Sequence, residues 1–416
     1  MNNNVNLLMP LLFVAAVLLL NMYASQPLRT LSAPVWVRAA YWVVITLSVV
    51  APVAALVLLA RRGEMTIAGG WAMSALMLFL APVLVMAAAL LLEDVARLAA
   101  LAVRYSLGLS PAALPRARWV GIATLSVGGV VLLAMLHGMV WGKYDYRVRE
   151  QVVYFDDLPH SFDGFRILQL SDFHAGSLSS AKDVQRGVDM AKAQRADLFV
   201  FSGDMVNNSA DELRPWASYL AQIKAPCGQV AVLGNHDYGD YGTWESAKAK
   251  AANLQSLLAQ EEAIGLRVLL DENVAIERNG QAIVVVGVQN IGMRSHFVSY
   301  GNLQKALAGA DSGAFKLLVS HDPSHWDEEV SRYPEKIHLT LSGHTHGFQF
   351  GIETPLFKWS PVQWIYPHWA GLYEKNGRYL YVNRGFGFIP FFLGRVGIFP
   401  EITVLELRVG KPQQEG

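Results

Sequence analysis

The sequence predicts an α-helical membrane region of four transmembrane helices followed by an α/β domain. Three observations carry that reading. Four long apolar runs without a charged residue occupy the first third of the chain, short β-rich runs alternate with helical patterns from about Tyr154 onward, and acids and histidines fall at the ends of several of those runs.

The apolar runs are approximately Val5 to Ala24, Ala39 to Ala60, Trp71 to Leu92 and Trp119 to Gly142, and none contains Asp, Glu, Lys or Arg. Each is long enough to cross the hydrocarbon core of a bilayer as a helix. A buried helix of a soluble core rarely runs so far without a charge on some face. The leader Met1-Asn2-Asn3-Asn4 lacks the Lys or Arg of a secretory signal, so the first run is expected to stay in the membrane. Trp71, Trp119 and Trp141 stand at span ends, where an amphipathic ring suits the headgroup level. His137, inside the last run, reads as a neutral histidine near a helix end. The overall composition, 53% hydrophobic and 16% charged, agrees with a bilayer partner, and the expected location is an inner (plasma) membrane.

Four spans place both termini on one side, with Arg61, Arg62, Lys143, Arg147 and Arg149; the other side has Arg29, Arg38, Arg97, Arg104, Arg116 and Arg118. That small excess points to an extracytoplasmic C-terminal domain. The single cysteine, Cys227, excludes an intramolecular disulfide, and a formal net charge of zero gives no sign of a nucleic-acid partner. The expected organisation is a membrane region over 1–142, a linker and first strand over 143–160, a globular domain over 161–410 and a tail over 411–416.

Within the globular domain, Arg166 to Ser171 reads as a buried strand ending on Asp172. A helix near Ala181 to Arg195 follows, then a strand Asp197 to Ser202 ending on Gly203-Asp204. Strands Gln229 to Leu233, Phe315 to Ser320 and Ile337 to Ser342 end on Gly234-Asn235-His236, His321 and Gly343-His344. Ligands in α/β sheets bind at the carboxyl ends of strands, so five such ends bring distant residues to one point. Gly203, Gly234 and Gly343 each adjoin a candidate ligand, where a missing Cβ permits close backbone approach.

The ordered set Asp172-Phe173-His174, Gly203-Asp204, Gly234-Asn235-His236-Asp237, His321 and Gly343-His344-Thr345-His346 resembles the signature of the calcineurin-like metallophosphoesterase superfamily. Phe162-Asp163-Gly164-Phe165-Arg166-Ile167, and the tail from Asn383-Arg384-Gly385 to Pro400-Glu401-Ile402, are similar to bacterial membrane-associated members of the YkuE and YaeI type. The resemblance covers roughly Tyr154 to Leu407. One departure is Phe348, where close relatives usually carry a second glycine after the last histidine motif.

The resemblance implies an αββα sandwich of two mixed β-sheets flanked by helices, and a phosphoester or diphosphate hydrolase that works by attack of a hydroxide bridging two metal ions. It assigns one divalent metal to Asp172, His174, Asp204 and His346, and the other to Asp204, Asn235, His321 and His344. Asp204 is then the shared carboxylate. His236 is left for the leaving group as a catalytic proton donor, and Asp237 either orients that ring or caps a helix. Mixed oxygen and nitrogen donors suit Mn, Fe or Zn better than Ca. Among residues outside the motifs, His325 reads as a surface helix residue, His160, His296 and His368 as surface or loop residues, and His338 as a strand residue. Arg294, Arg384 and Arg395 are candidates to hold substrate phosphate, with Arg384 the preferred one.

After His346 the chain is rich in aromatics: Phe348, Phe350, Phe357, Trp359, Trp364, Tyr366 and Trp369, then Phe386, Phe388, Phe391 and Phe392. These either fill the core or form a surface for lipid. Some relatives act on lipid-linked phosphoesters such as UDP-diacylglucosamine, a substrate that requires a cytoplasmic site. Two other classes were weighed against the enzyme. A non-catalytic sensor would be expected to have lost some ligands, and a transporter would carry ionisable residues in its spans. The enzyme is therefore preferred, with a non-catalytic membrane sensor or partner-binding protein that uses a phosphoesterase-like domain as the alternative.

Overall fold

The computed structural model describes residues 7–62, 67–109, 114–294 and 298–411; His296 lies outside them. It separates into two compact units, one comprising Met1–Val140 with Pro390–Leu393 and the other Trp141–Ile389 with Gly394–Gly416.

The first unit is helical. α1 (Leu8–Ala24) and α2 (Gln26–Thr30) make one span, interrupted only at Ser25, and α3 (Val35–Arg62), α4 (Ile67–Ser106) and α5 (Arg118–Val140) make the other three. The four spans make the chain a multi-pass membrane protein. α4 differs from the sequence expectation, which stopped near Leu92. At 40 residues and 1.5 Å per residue it is about 60 Å long, roughly twice the hydrocarbon thickness. The helix continues because its first charges have partners. Tyr23 Oη donates to Asp94 at 2.7 Å, Arg97 pairs with Asp94 one turn on, and the nearly buried Arg116 guanidinium bridges Glu93 and Asp94. A charge that leaves bulk water needs such a partner.

The second unit is built on two six-stranded sheets. The first contains β1 (Arg147–Phe155), β2 (Phe165–Leu170), β3 (Leu198–Phe201), β4 (Gln229–Ala231) and β5 (Arg267–Val268). The second contains β6 (Glu272–Arg278), β7 (Gln281–Gly287), β8 (Lys316–Val319) and β9 (Leu339–Ser342). A separate hairpin, β10 (Ile352–Glu353) with β11 (Lys358–Trp359), precedes β12 (Gly371–Lys375) and β13 (Arg378–Val382) of the second sheet and β14 (Glu401–Val409) of the first. The strand orders are β1-β14-β2-β3-β4-β5 and β12-β13-β9-β8-β7-β6. Both sheets are mixed: β2 to β5 run parallel and β14 antiparallel to β2, while β7, β8, β9 and β13 run parallel with antiparallel edges.

The sheets pack face to face. Ile167, Val200, Val230 and Leu405 from the first meet Val285, Leu317 and Leu341 from the second in one buried cluster. Strand alternation sends the other side chains outward, where Val284, Val286 and Leu318 pack with Leu303, Leu307 and Trp326 of α9 (Leu303–Leu307) and α10 (Ser324–Glu328). Three further helices fill the connections: α6 (Ala181–Lys192), α7 (Ala217–Leu220) and α8 (Ala247–Ala263). α6 begins where Ser180 accepts from Asp183 N, and it buries Val184, Gly187, Val188 and Ala191 at helical spacing.

Candidate metal centre

All five expected strand ends converge. Asp172 and His174 follow β2, Asp204 follows β3, Asn235 and His236 follow β4, His321 follows β8, and His344 and His346 follow β9. β2, β3, β4 and β8 end one or two residues before the sequence expectation, where the chain turns sharply toward the ligands, whereas β9 ends on Ser342 as expected and begins two residues later. Asp172 has φ 53°, His174 47°, Asp204 59°, His344 70° and His346 49°. Left-handed backbone is uncommon outside glycine and concentrates where a site holds it in place. The neighbouring glycines serve close approach: a Cβ on Gly343 would collide with Ser171 Oγ and Asp172 Oδ2, and one on Gly234 with Asp204 Oδ1.

Among the described residues, three groups of side chains stand close enough to share a cation: Asp172 with His174 and His346, His174 with Asp204 and His236, and Asp204 with His321 and His344. His174 Nε2 lies 3.0 Å from His346 Nε2, which is 3.1 Å from Asp172 Oδ1. His321 Nε2 lies 3.0 Å and His174 Nε2 3.6 Å from Asp204 Oδ2. Asn235 Oδ1 is 2.8 Å from His344 Nδ1.

The far sides of these rings fix where their protons are. His321 Nδ1 donates to the Ser202 carbonyl at 2.8 Å, and a carbonyl can only accept. Neutral His321 therefore turns a lone pair toward the Asp204 oxygen, and its buried Nε2 has no hydrogen bond. Asn235 Nδ2 donates to Tyr241 Oη at 3.0 Å, so Oδ1 is the atom facing His344. His344 Nε2 is 2.9 Å from Tyr366 Oη, which also lies 3.2 Å from Asp322 Oδ2; when the Tyr366 hydroxyl donates to Asp322, the His344 lone pair is on Nδ1. Two pairs of acceptors thus face each other at hydrogen-bond distance. With His344 in that tautomer, a positive charge between each pair relieves the arrangement, so the residues present fit a bound cation.

Electrostatics agree. Burial alone would lower the His321 imidazole, but the Asp204 charge overrides it and pushes the ring up to about 10. A proton there does what a metal ion would do. Burial also opposes ionisation of Asp172 and Asp204, yet His346 beside the first and His321 beside the second hold both below the usual carboxylate range. His174, His344 and His346 are all lowered, chiefly by burial, and so keep neutral rings; Arg395 Nη2 donates to His346 Nδ1 at 3.2 Å, which places the His346 proton on Nε2, 3.1 Å from Asp172 Oδ1.

Several supporting residues escaped the sequence. Asn207 holds two histidines at once: its Oδ1 accepts from His174 Nδ1 at 3.0 Å and its backbone carbonyl from His236 Nδ1 at 2.9 Å. Asp322 and Tyr366 orient His344. The only signals were Asn207 following Gly203-Asp204 in the same loop and Asp322 following His321; nothing local marked Tyr366.

Three expectations are corrected. Arg384 is not free for substrate: it is buried, its terminal nitrogens are bound to Glu401 and Glu353, and those carboxylates raise its pKa against the effect of burial. Arg395 is likewise fully buried on the carbonyls of Arg384, Gly385 and Gly387, and Arg294 pairs with Asp327 and Glu328. Asp237 neither orients His236 nor caps a helix; it accepts from the backbone nitrogens of Asp204, Met205, Val206 and Gly234. His325 is fully buried between Ser320 Oγ at 2.8 Å and Glu329 at 3.1 Å, not on the surface. The aromatics divide as well: Tyr366, Trp369, Phe386 and Phe388 are buried, whereas Leu356 (98% exposed), Phe357, Trp364 (74%) and Ile365 are open.

Residues 165–348 match the family model described as calcineurin-like phosphoesterase, and residues 6–143 match one described as probable calcineurin-like phosphoesterase, transmembrane domain. The chain is 29% identical over 262 residues to the uncharacterized metallophosphoesterase YkuE of Bacillus subtilis, covering 60% of this chain and 82% of that one. It is 27% identical over 294 residues to a transmembrane protein with metallophosphoesterase domain of Danio rerio, covering 68% of this chain and 62% of the relative. The Bos taurus protein of the same description is 31% identical over 265 residues, covering 60% of this chain and 54% of the relative. The match thus spans little more than half the length of the two vertebrate relatives.

Proposed function

Because this chain is a membrane-spanning calcineurin-like metallophosphoesterase, we propose that its globular domain uses two divalent metal ions, Mn, Fe or Zn, to hydrolyse a phosphoester or diphosphate bond at a membrane surface. Asp172, His174, Asp204 and His346 hold one ion, and Asp204, Asn235, His321 and His344 the other. What supports the ion held by Asp204, Asn235, His321 and His344 is the facing of His321 Nε2 on Asp204 and His344 Nδ1 on Asn235, and what supports the other is the grouping of Asp172 with His174 and His346. Such ions supply Lewis acidity toward phosphoryl oxygens and make water acidic enough to act as a nucleophile near neutral pH.

His236 takes the substrate side. It is half-buried, Nδ1 is tied to the Asn207 carbonyl, and the ring packs on His174 and Tyr241 with centroids 4.9 and 4.6 Å away. A ring held at one nitrogen presents the other to a leaving-group oxygen as a proton donor. Asp237 and Asn207 contribute by fixing Asp204, His174 and His236 before substrate arrives.

The substrate we propose is lipid-linked. The open apolar residues Leu356, Phe357, Trp364 and Ile365 lie on the segment that runs directly into Tyr366, the partner of His344. Exposed apolar rings beside a polar site suit an acyl chain or the lipid interface. A UDP-diacylglucosamine-type lipid is the specific candidate to assay, and it requires a cytoplasmic site; the loop charges favour the extracytoplasmic side of a plasma membrane, where envelope phospholipids would be the substrate. A reporter fused at the C-terminus distinguishes the two.

Hydrolysis is tested with the full chain, Mn and a chromogenic phosphodiester. Turnover by wild type that is lost in Asp204→Asn supports the enzyme, and equal inactivity of both with several metals rejects it. In the same preparation, Leu356→Ser with Trp364→Ser should raise KM for a lipid phosphoester while leaving the soluble phosphodiester unaffected; equal effects on both would reject the lipid assignment.

A further inference from the structure

A second candidate ligand site lies within the helical unit, far in sequence from the metal centre. A cavity of about 310 Å³ is lined by Ser25, Leu28, Arg29, Val35, Arg38 and Trp42, at the turn between α2 and α3. Leu28 also borders a second cavity of about 400 Å³, walled by apolar side chains of α3, α4 and α5, including Ile45, Phe79, Val83, Met86 and Leu125. Leu28 therefore borders both a polar mouth and an apolar groove.

The mouth is cationic and unneutralised. Among the described residues, neither Arg29 nor Arg38 makes an ion pair or a side-chain hydrogen bond, whereas the nearby acids Glu93 and Asp94 are taken by Arg116 and Arg97. Arg38 Nε is buried and has no hydrogen-bond partner. An N–H withdrawn from water without an acceptor is unfavourable unless a ligand completes it. Val35 belongs to the first turn of α3, where the helix dipole adds positive potential, and Trp42 supplies an interfacial ring. The groove is open as well as apolar: a Cβ built on Gly129, which borders it, would meet nothing within 4 Å.

We propose that this pair of cavities binds one anionic phospholipid, its phosphate between Arg29 and Arg38 and one acyl chain in the groove beside Gly129. Charge complementarity selects the headgroup, since two guanidiniums without counter-ions recognise phosphate and gain little from a zwitterion that brings its own cation. The site shares no residue with the metal centre, and it stands whether or not that centre hydrolyses lipid.

The test uses the full chain in a nonionic detergent, stripped of lipid and examined by native mass spectrometry with phosphatidylglycerol and phosphatidylcholine of identical acyl chains. Wild type should retain phosphatidylglycerol about tenfold more tightly than phosphatidylcholine, and Arg29→Gln with Arg38→Gln should abolish the preference, as expected for lost charge-assisted contacts. Gly129→Leu should weaken both lipids by filling the groove, and it improves helix propensity, so it also serves if the arginine variant does not fold. Millimolar inorganic phosphate should not displace the lipid. Equal retention of the two lipids by wild type, an unchanged preference in the arginine variant, undiminished binding to Gly129→Leu, or displacement by phosphate alone would each overturn the proposal.

Discussion

Asp237 carries Asp204: its Oδ2 accepts the backbone N–H of Asp204 at 2.9 Å, and the same carboxylate accepts from Met205 at 2.8 Å, Val206 at 3.2 Å and Gly234 at 2.8 Å. The two aspartates that look alike in the sequence thus have different work. Asp204 points its oxygens at histidines, and Asp237 ties the loops after β3 and β4 together beneath it. Burial and the Asp204 charge push the Asp237 carboxyl up to about 7 even so.

Asp237→Ala leaves four buried N–H groups without an acceptor. At about 1–3 kcal/mol for an unsatisfied buried group, with partial relaxation, destabilisation of about 3 kcal/mol or more is expected. Thermal unfolding and metal content should fall together. A variant with normal stability and reduced metal would show that Asp237 is itself a ligand.

His236→Ala separates ligand from proton donor. The variant should keep near-wild-type metal content with turnover lowered about 10²–10⁴-fold, the usual range for removing a general acid. The close grouping of His236 with His174 and Asp204 makes the measurement informative, because loss of one metal equivalent would place His236 in the coordination set.

Arg384→Gln should act on stability and not on substrate affinity. Removing the guanidinium leaves Arg149, 2.8 Å from Glu353 and 3.8 Å from Glu401, as the remaining cation beside the two carboxylates, and breaking the buried Arg384–Glu401 pair costs about 3 kcal/mol. The melting temperature should fall with KM unchanged in the protein that remains folded. A raised KM at unchanged stability would restore the substrate role.

His338 supplies a pH dependence remote from the metal centre. Its ring stacks on Phe315, its Nδ1 accepts from Lys316 N at 2.9 Å, and burial lowers its pKa to about 4 from an ordinary 6.5. The unfolded chain therefore binds a proton first. The ring's contribution is fully present above pH 6.5, is lost as pH falls toward 4, and amounts to about 2–3 kcal/mol. Unfolding measured between pH 7 and 4 should lose that much less stability in His338→Gln, and parallel profiles would contradict the assignment.

What could be read in advance follows from where the information resides. The five strand ends were legible because β2, β3, β4, β8 and β9 are apolar runs that stop at a polar ligand, and the four spans because a bilayer demands length without charge. The extent of α4 was hidden, since it depends on Arg116 and Tyr23 neutralising Glu93 and Asp94 from other segments. Arg384 looked available beside Gly385 because its partners Glu353 and Glu401 are distant in sequence. The aromatics after His346 could not be sorted, as composition does not say that Trp369 packs inside while Trp364 remains open. Left-handed backbone at Asp172 and Asp204, residues with a Cβ, is likewise imposed by the assembled site.

The central claim is that Asp204 is shared between two metal ions, and metal analysis of the purified full chain tests it most directly. Wild type should carry about two equivalents of divalent metal, His321→Ala about one, and Asp204→Asn less than either, as a bridging carboxylate requires. Asp204→Asn that retains the wild-type metal content would contradict the account.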